Sequence, residues 1–203
     1  MNNSILKAGG LLLIFTAISV FFVALTFDAT KGQISQNEKQ LLAQRLGELV
    51  SNYDNDIINE KYVKNINLHG LRQNISIFPA KRNQQIFAYI IEHTYPNGYN
   101  GNIKLLTGID SQQQLLGVRV IAHRETPGLG DQIDLRKSNW IRRFSGFSLT
   151  NPLGKNWKVK PDGGIFDAFT GATITPRAVV TATFQLLDKF SIRPCLFQNP
   201  ACN

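Results

Sequence analysis

Residues 162–176 are denser in special residues than folding requires. They hold two acids, three glycines and three threonines directly before a predicted helix. Free N–H groups and the positive end of the helix dipole make a helix N-terminus a favourable place for phosphate. A loop that only caps the helix uses the same residue types, so composition leaves both interpretations open. This stretch contains neither a Gly-x-Gly dinucleotide fingerprint nor a P-loop.

A second such stretch is residues 123–130, His-Arg-Glu-Thr-Pro-Gly-Leu-Gly, at the end of a predicted strand. Its glycines allow a ligand to approach the backbone closely, and Pro127 fixes the turn. His123 and Glu125 add titratable groups, but two potential ligands do not make a metal site, and we predict none. An ordinary loop after a strand remains an alternative.

The only two cysteines, Cys195 and Cys202, lie near the C-terminus. Two thiols exclude a four-cysteine zinc site and an iron–sulfur cluster ligated wholly by cysteines of this chain. A disulfide, two free thiols, or ligation shared with another subunit all remain open.

The helix that follows the first stretch has clear boundary signals. Thr175 is its predicted N-cap, and Pro176 occupies the first turn, where its missing N–H costs nothing. An apolar stripe then continues to Phe190, and Pro194 ends the helix. The second stretch follows a predicted strand, so a sheet and not a helix is expected to position it.

Upstream of residue 123 the apolar pattern has the two-residue period of strands. Residues 75–78 and 86–91 flank a polar turn and predict a hairpin, and residues 103–109 and 115–122 predict two further strands. Residues 54–72 are polar and weakly patterned, which predicts an irregular connection. The fold class is therefore α+β, with an antiparallel sheet and flanking helices.

Most other special residues have a structural interpretation. A short helical stretch is predicted near residues 137–144. Trp140 and Trp157 are expected in the core. His69 and His93 have no evident partner in the sequence and are expected at the surface.

Residues 8–27 contain no charge and are long enough to cross a bilayer as a helix. A cleavable signal peptide is the alternative, but no clean Ala-x-Ala site follows. Lys7 precedes the segment, so the positive-inside rule puts the N-terminus in the cytoplasm and the rest outside, which is the periplasm of a Gram-negative cell. Residues 33–53 predict a helix, either a stalk or one packed on the domain. We expect an anchor (1–30), a helical stalk or connecting region (31–72) and one outer domain with a C-terminal tail (73–203).

The chain of 203 residues carries 22 Lys and Arg against 14 Asp and Glu, a net charge of +8. Such a balance suits nucleic acid, an anionic membrane or a phosphate-bearing ligand. The cations are scattered without the spacing of a nucleic-acid motif, so we expect no nucleic-acid partner.

The segment Asp167-Ala168-Phe169-Thr170-Gly171-Ala172-Thr173 resembles the flavinylation motif Asp-x-x-(Ser/Thr)-Gly-Ala-Thr. With this segment, the second stretch, an upstream Tyr99-Asn100-Gly101 and one N-terminal anchor, the chain resembles the RnfG family. These are the G subunits of Rnf electron-transport complexes, called Rsx in enteric bacteria. The resemblance covers nearly the whole chain.

The resemblance implies that a flavin transferase attaches FMN through its phosphate to Thr173. Asp167 and Thr170 would be recognised by the transferase, and Gly171 and Ala172 would keep the acceptor accessible. The loop with Glu125, Thr126, Gly128 and Leu129 would lie against the isoalloxazine ring, and Lys160 near the flavin would favour its anionic forms. No residue of the chain would be catalytic on a substrate.

The resemblance further implies an electron-transfer subunit of a translocase in the inner membrane, with its FMN-binding domain in the periplasm. Other Rnf or Rsx subunits would be its partners. The complex would couple ferredoxin–NAD electron transfer to cation translocation, or in enteric relatives keep SoxR reduced. The alternatives are an anchored flavodomain of another complex, such as an NqrC-type subunit, and a non-redox anchored scaffold.

Overall fold

The computed structural model of the protein describes residues 2–198 and residue 202. The chain divides into two compact units, Met1–Gln44 and Arg45–Asn203. The division falls inside the first helix, α1 (Asn2–Leu49), whose last turn belongs to the second unit.

The first unit is helical throughout its described residues, and its apolar side chains are exposed. Phe15 is 70% exposed and Phe21 is 62% exposed. The hydroxyls of Thr16, Ser19 and Thr26 donate to carbonyls four residues back in the same helix, at 2.9, 2.9 and 2.7 Å. These are all the hydroxyls of residues 8–27, and since each bonds within the helix, that stretch suits a medium without water. By length and composition α1 could cross a membrane.

The helix predicted at residues 33–53 is the continuation of α1 and ends at Leu49, four residues early. Its final turn is buried in the second unit, where Leu46 is 0% and Leu49 is 6% exposed. The packed alternative therefore holds for the last turn of α1, and the stalk stays a prediction for the residues before it.

The second unit is built on a five-stranded antiparallel sheet. Its strands are β1 (Tyr62–Leu68), β2 (Leu71–Arg82), β3 (Gln85–Tyr95), β4 (Ile103–Asp110) and β5 (Leu115–Ala122). Their order in the sheet is their order in the chain, and each pairs antiparallel with the next. The predicted α+β class with an antiparallel sheet is confirmed.

Strand β1 lies inside residues 54–72, so the prediction of an irregular connection there was wrong. The inward positions of β1 alternate as expected, but one of them is Lys64, which is 8% exposed. A buried lysine broke the apolar period on which the prediction depended.

Both faces of the sheet are covered. One face carries Ile77, Ile91, Leu105 and Val118 and forms a core with α2 (Ile174–Ile192). The opposite face buries Phe78, Ile90 and Leu106 at 0% exposure. Leu49 packs on that second face, and a methyl group added to Gly117 would come within 3.1 Å of its Cδ2.

The chain after α2 is held by contacts to β1. A disulfide joins Cys195, at the start of α3 (Cys195–Gln198), to Cys202. Tyr62 Oη donates to the Phe197 carbonyl, and Lys64 Nζ donates to the Cys202 carbonyl. These contacts explain how β1 can bury a lysine.

An aromatic cluster packs beneath the loop that leads to α2. Trp140 and Trp157 are 8% and 4% exposed, so their prediction as core residues is confirmed. The rings of Phe144 and Phe166 stack with centroids 4.7 Å apart, and Trp140 meets Phe169 edge-on at 5.1 Å. The helical stretch predicted near residues 137–144 is a 3₁₀ turn, Trp140–Phe144.

The expectation that His69 and His93 lie at the surface without partners was wrong. His93 is 1% exposed. Its Nδ1 lies 3.0 Å from His69 Nε2, its Nε2 lies 3.0 Å from Thr107 Oγ1, and His69 Nδ1 lies 2.8 Å from Gln185 Oε1. Burial lowers the pKa of His69. For His93, burial and the charge of the neighbouring His69 lower the pKa well below its usual value.

Candidate functional site

The two chemically rich stretches meet at a cavity of about 250 Å³ beside the N-terminus of α2. A turn at Tyr99 forms a third wall. The lining residues are Tyr99, Thr126, Leu129, Gly130, Gly171, Ala172, Thr173, Ile174 and Thr175.

Thr173, and not the predicted Thr175, is the N-cap of α2, because the helix begins at Ile174. The Thr173 hydroxyl makes no capping hydrogen bond, and no described residue bonds to it. Its side chain is half-buried at the cavity wall. A hydroxyl is thus available at the positive end of a 19-residue helix, where a phosphate would be stabilised. Pro176 lies in the first turn, as predicted, and is buried.

A tight turn delivers the chain to Thr173. Ala172 N donates to the Phe169 carbonyl at 3.1 Å, and Gly171 has φ +77°, which favours glycine. Thr170 is exposed at the tip of this turn. The turn points the backbone of Ala172 and Thr173 along the cavity wall.

Asp167 secures the loop just before that turn. Its carboxylate pairs with Lys160 Nζ at 2.5 Å and also with Arg143, and its carbonyl accepts from Trp140 Nε1 at 2.9 Å. Lys160 therefore pairs with an acid of the motif and does not line the cavity.

The loop after β5 is organised by its own backbone. The Thr126 carbonyl accepts from Leu129 N at 3.2 Å and Gly130 N at 3.0 Å, and Asp131 Oδ1 accepts from Gly128 N at 2.8 Å. These bonds leave the Leu129 side chain 42% exposed at the cavity mouth.

Glu125 lies behind the cavity wall. It is 3% exposed, and both of its carboxylate oxygens accept hydrogen bonds: Oε1 from Asn100 N at 3.1 Å, and Oε2 from Thr175 Oγ1. One side chain thus joins the Tyr99 turn, the loop after β5 and the first turn of α2.

Two glycines make room for this junction. A methyl group on Gly98 would lie 2.7 Å from Glu125 Oε1, and one on Gly130 would lie 2.8 Å from Thr175 Oγ1. Neither Thr175 nor Gly98 was predicted from the sequence to have this role. No local signal could have indicated it, because the partners are far apart in the chain.

Of the ten site residues expected from the sequence, five line the cavity. These are Thr126, Leu129, Gly171, Ala172 and Thr173. The other five lie around it: Glu125, Gly128, Lys160, Asp167 and Thr170 support or flank the lining loops. Within the described part of the chain no three His, Cys, Asp or Glu side chains gather as a metal site would require.

Two known protein families match parts of the chain. Residues 98–188 match the FMN-binding domain family, and residues 1–49 match the RnfG N-terminal region. The cavity lies wholly within the first of these matches.

Relatives resemble the chain along nearly its whole length. The G subunit of the ion-translocating oxidoreductase complex of Vibrio cholerae serotype O1 (strain M66-2) is 46% identical over 190 residues, 93% of this chain and 91% of the relative. The G subunits of Aliivibrio fischeri and Shewanella amazonensis are 43% and 42% identical. These alignments cover 90% and 92% of this chain, and 88% of each relative. By sequence, by its FMN-binding domain and by its N-terminal region, the chain belongs to the family of G subunits of ion-translocating oxidoreductase complexes.

Proposed function

We propose that the chain is the flavoprotein subunit of an Rnf-type ion-translocating oxidoreductase complex and carries FMN covalently on Thr173. The observation that carries the proposal is the Thr173 hydroxyl. It has no partner among the described residues, lines the cavity and stands at the N-terminus of α2.

The residues present fit FMN. A phosphate on Thr173 would face the free N–H groups of the first turn of α2, an interaction of about 0.3–1 kcal/mol. Leu129, Ala172 and Ile174 offer apolar contact to a flat ring system, and Tyr99 offers an aromatic edge. Gly130 and Gly171 have no side chain to fill the space beside them.

Attachment is a phosphoryl transfer by a flavin transferase. The Thr173 Oγ–P bond forms, the bond between phosphorus and the leaving group of the flavin donor breaks, and the hydroxyl proton passes to a base. The product is one FMN heavier than the chain, less one water. A phosphodiester of this kind keeps the flavin from dissociating.

Bound FMN supplies the redox chemistry by accepting and releasing electrons. The protein positions it. Thr173 fixes one end, Leu129 and Thr126 wall the cavity, and the Glu125 junction holds the three lining segments together. Asp167, paired with Lys160 and Arg143, holds the motif loop, and exposed Thr170 presents it to the transferase.

We further propose that α1 crosses the inner membrane with the N-terminus in the cytoplasm and the flavin domain in the periplasm. Lys7 before the apolar segment supports this orientation. The disulfide between Cys195 and Cys202 supports an oxidising compartment for the domain. We propose the anchor at 1–30, the stalk or connecting region at 31–72 and the flavin domain with its tail at 73–203, with β1 of the connecting region completing the sheet of that domain.

The test is the intact mass of the full chain, purified from membranes after co-expression with a flavin transferase. We expect the wild type to gain one FMN less one water and Thr173→Ala to gain nothing. Thr181→Ala removes a hydroxyl from the same helix, outside the cavity, and should be modified like the wild type. An unmodified wild-type chain, beside a control substrate that the same transferase does modify, would refute the covalent assignment.

A further inference from the structure

Within residues 122–160, which include the loop after β5, the exposed charges are all positive. The two acids that follow, Asp162 and Asp167, lie in ion pairs with Arg177 and with Lys160 and Arg143. Residues 122–160 contain eleven charged side chains. The three acids, Glu125, Asp131 and Asp134, are all buried. The eight cations are all exposed: Arg124, Arg136, Lys137, Arg142, Arg143, Lys155, Lys158 and Lys160.

Several of these cations adjoin the loops that frame the cavity. Arg124 lies two residues before Thr126, and its carbonyl accepts from Asn100 Nδ2 at 2.7 Å, next to Tyr99. On the other side, Arg143 and Lys160 both pair with Asp167 of the motif loop. One carboxylate is shared by two cations, so the group keeps a net positive charge.

Two more cations extend this side. The Lys158 carbonyl accepts from Phe166 N at 3.1 Å, so Lys158 lies alongside the same loop. Arg142 precedes Arg143 in the Trp140–Phe144 turn, and no described residue pairs with its side chain. We name Arg124, Arg142, Arg143, Lys158 and Lys160 the cationic rim.

The centre of the rim is apolar. Tyr99 is 66% exposed, Leu129 42% and Ile174 45%, and all three line the cavity. An apolar centre with a charged, solvent-accessible edge is the usual anatomy of a protein–protein interface. Anchoring aromatic and aliphatic side chains supply contact, while the charges set orientation and the rate of encounter.

We infer that the cationic rim docks an acidic surface of another protein subunit, placing that subunit over the mouth of the cavity. The inference rests on the proposed function, because an electron carrier must let its redox partner approach the flavin. Charge complementarity identifies the occupant as acidic. An anionic lipid surface would match the charge, but it would cover the mouth and exclude the partner.

The three acids of residues 122–160 are buried, so they add no exposed negative charge beside the rim. An exposed carboxylate at the mouth would repel an acidic partner and would cancel a neighbouring cation. Asp131 and Asp134 instead serve the backbone of the loop, where Gly128 N and Arg136 N donate to them at 2.8 and 2.9 Å. Both acids therefore support the loop without weakening the field outside it.

The experiment is zero-length carbodiimide cross-linking of the assembled complex in native membranes, with the cross-links mapped by mass spectrometry. This reagent joins an amine only to a carboxylate in contact with it. We expect Lys158 and Lys160 to link to Asp or Glu side chains of another subunit of the complex. We expect the yield to fall at high ionic strength, because exposed charges are screened.

Lys61 is the matched control. It is exposed and directly precedes β1, at the edge of the sheet opposite β5. Four strand spacings separate these edges by about 19 Å. We expect no salt-sensitive link from Lys61. Equal linking of Lys61 and Lys158 would overturn the inference.

A charge reversal tests the rim without removing a reactive amine. Arg142→Glu should lower the Lys158 cross-link yield by roughly two- to fivefold, the effect of one exposed ion pair. Arg193→Glu, at the far end of α2 and about 30 Å from Thr173, should leave the yield unchanged. An Arg142→Glu chain that links as well as the wild type would contradict the inference.

Two further readouts distinguish protein docking from a failure of the cofactor assignment and from lipid binding. The intact mass of the same samples reports flavin content, so a chain without FMN that still cross-links refutes only the proposed cofactor. The full chain alone, in vesicles of anionic or of zwitterionic lipid, is treated with a lysine-acetylating reagent. Protection of Lys158 by anionic vesicles alone would assign the rim to lipid and overturn the inference.

Discussion

Threonines 173 and 175 sit two residues apart at the start of α2 and have opposite hydrogen-bonding states. Thr175 is 1% exposed and donates to Glu125, whereas the Thr173 hydroxyl has no partner among the described residues. Of these two hydroxyls, only that of Thr173 is free to serve as the proposed FMN acceptor. A hydroxyl that already satisfies a buried carboxylate could react only by leaving that carboxylate unpaired, which is costly.

The bond between Glu125 and Thr175 gives the first prediction at this scale. Thr175→Val keeps the shape of the side chain and leaves Glu125 Oε2 without its donor. We expect it to lower the free energy of unfolding by about 1–3 kcal/mol, as for a buried carboxylate that loses one hydrogen bond. Denaturant unfolding of the full chain measures this.

A double-mutant cycle with Glu125→Gln controls for packing. If the two side chains act through their bond, the double variant loses less than the sum of the single losses. Thr173→Val is the matched variant two residues away and should change stability by less than about 0.5 kcal/mol. Additive losses would show that Glu125 and Thr175 are not coupled.

At the scale of secondary structure, the sequence predicted those elements whose apolar period is unbroken. Strands β2 to β5 and the body of α2 follow from alternation or from a helical stripe. Strand β1 was missed because Lys64 occupies an inward position that the C-terminal segment covers. The start of α2 was placed late because Thr173 and Thr175 are equally good caps by residue type, and only the long-range bond to Glu125 distinguishes them.

The site could be predicted to a similar extent. The motif that resembles a flavinylation sequence pointed to residues 167–173, and the loop after β5 was recognised with it. The support of these loops was not predictable. Glu125 reaches Asn100 and Thr175, which are 25 and 50 residues away, and Asp167 reaches Arg143. Such pairs carry no local pattern.

The second prediction concerns pH. It depends on His69, in the turn between β1 and β2, and on His93, in β3. In the fold the pKa of both His69 and His93 lies below its ordinary value, because burial disfavours the charged imidazole. In the unfolded chain imidazoles titrate near pH 6.5. The unfolded state therefore binds more protons below about pH 6.5, and the free energy of unfolding falls as the pH falls through that value.

Thermal unfolding at about pH 7.5 and about pH 5.5 measures the effect. We expect a lower midpoint at the acid pH, and a smaller difference for His93→Gln, which keeps polar atoms but does not titrate. A His93→Gln chain with undiminished pH dependence would contradict the assignment.

At the scale of the molecule, charged side chains join the last turn of α1 to the loop beyond the cavity. Arg45 is 5% exposed and pairs with Glu48 at 3.4 Å and with Asp134 at 3.7 Å. Glu48 also pairs with Arg119 of β5 at 2.8 Å. Burial alone would raise the pKa of the Asp134 carboxyl. The hydrogen bonds and charge of Arg136, with the charge of Arg45, outweigh burial and hold this pKa below its usual value.

Arg45→Ala gives the last prediction. Breaking a buried ion pair can cost about 3–5 kcal/mol when a charge is left alone. Here Glu48 keeps Arg119 and Asp134 keeps Arg136, so we expect a smaller loss of about 2 kcal/mol in the free energy of unfolding. Lys39→Ala, an exposed cation of the same helix, should change it by less than about 0.5 kcal/mol. Equal effects of the two substitutions would mean that the buried pairs contribute nothing specific.

The order of the elements along the chain has a consequence for biosynthesis. The five strands are sequential neighbours, so each can pair with the one before as the polypeptide is synthesised. Their face of Ile77, Ile91, Leu105 and Val118 nevertheless stays bare until α2, near the C-terminus, arrives to cover it. The same helix carries Thr173 as its N-cap. A polypeptide truncated before residue 174 would therefore have neither a closed core nor the proposed FMN acceptor at a helix N-terminus, and under the proposed function only chains that include α2 could be flavinylated.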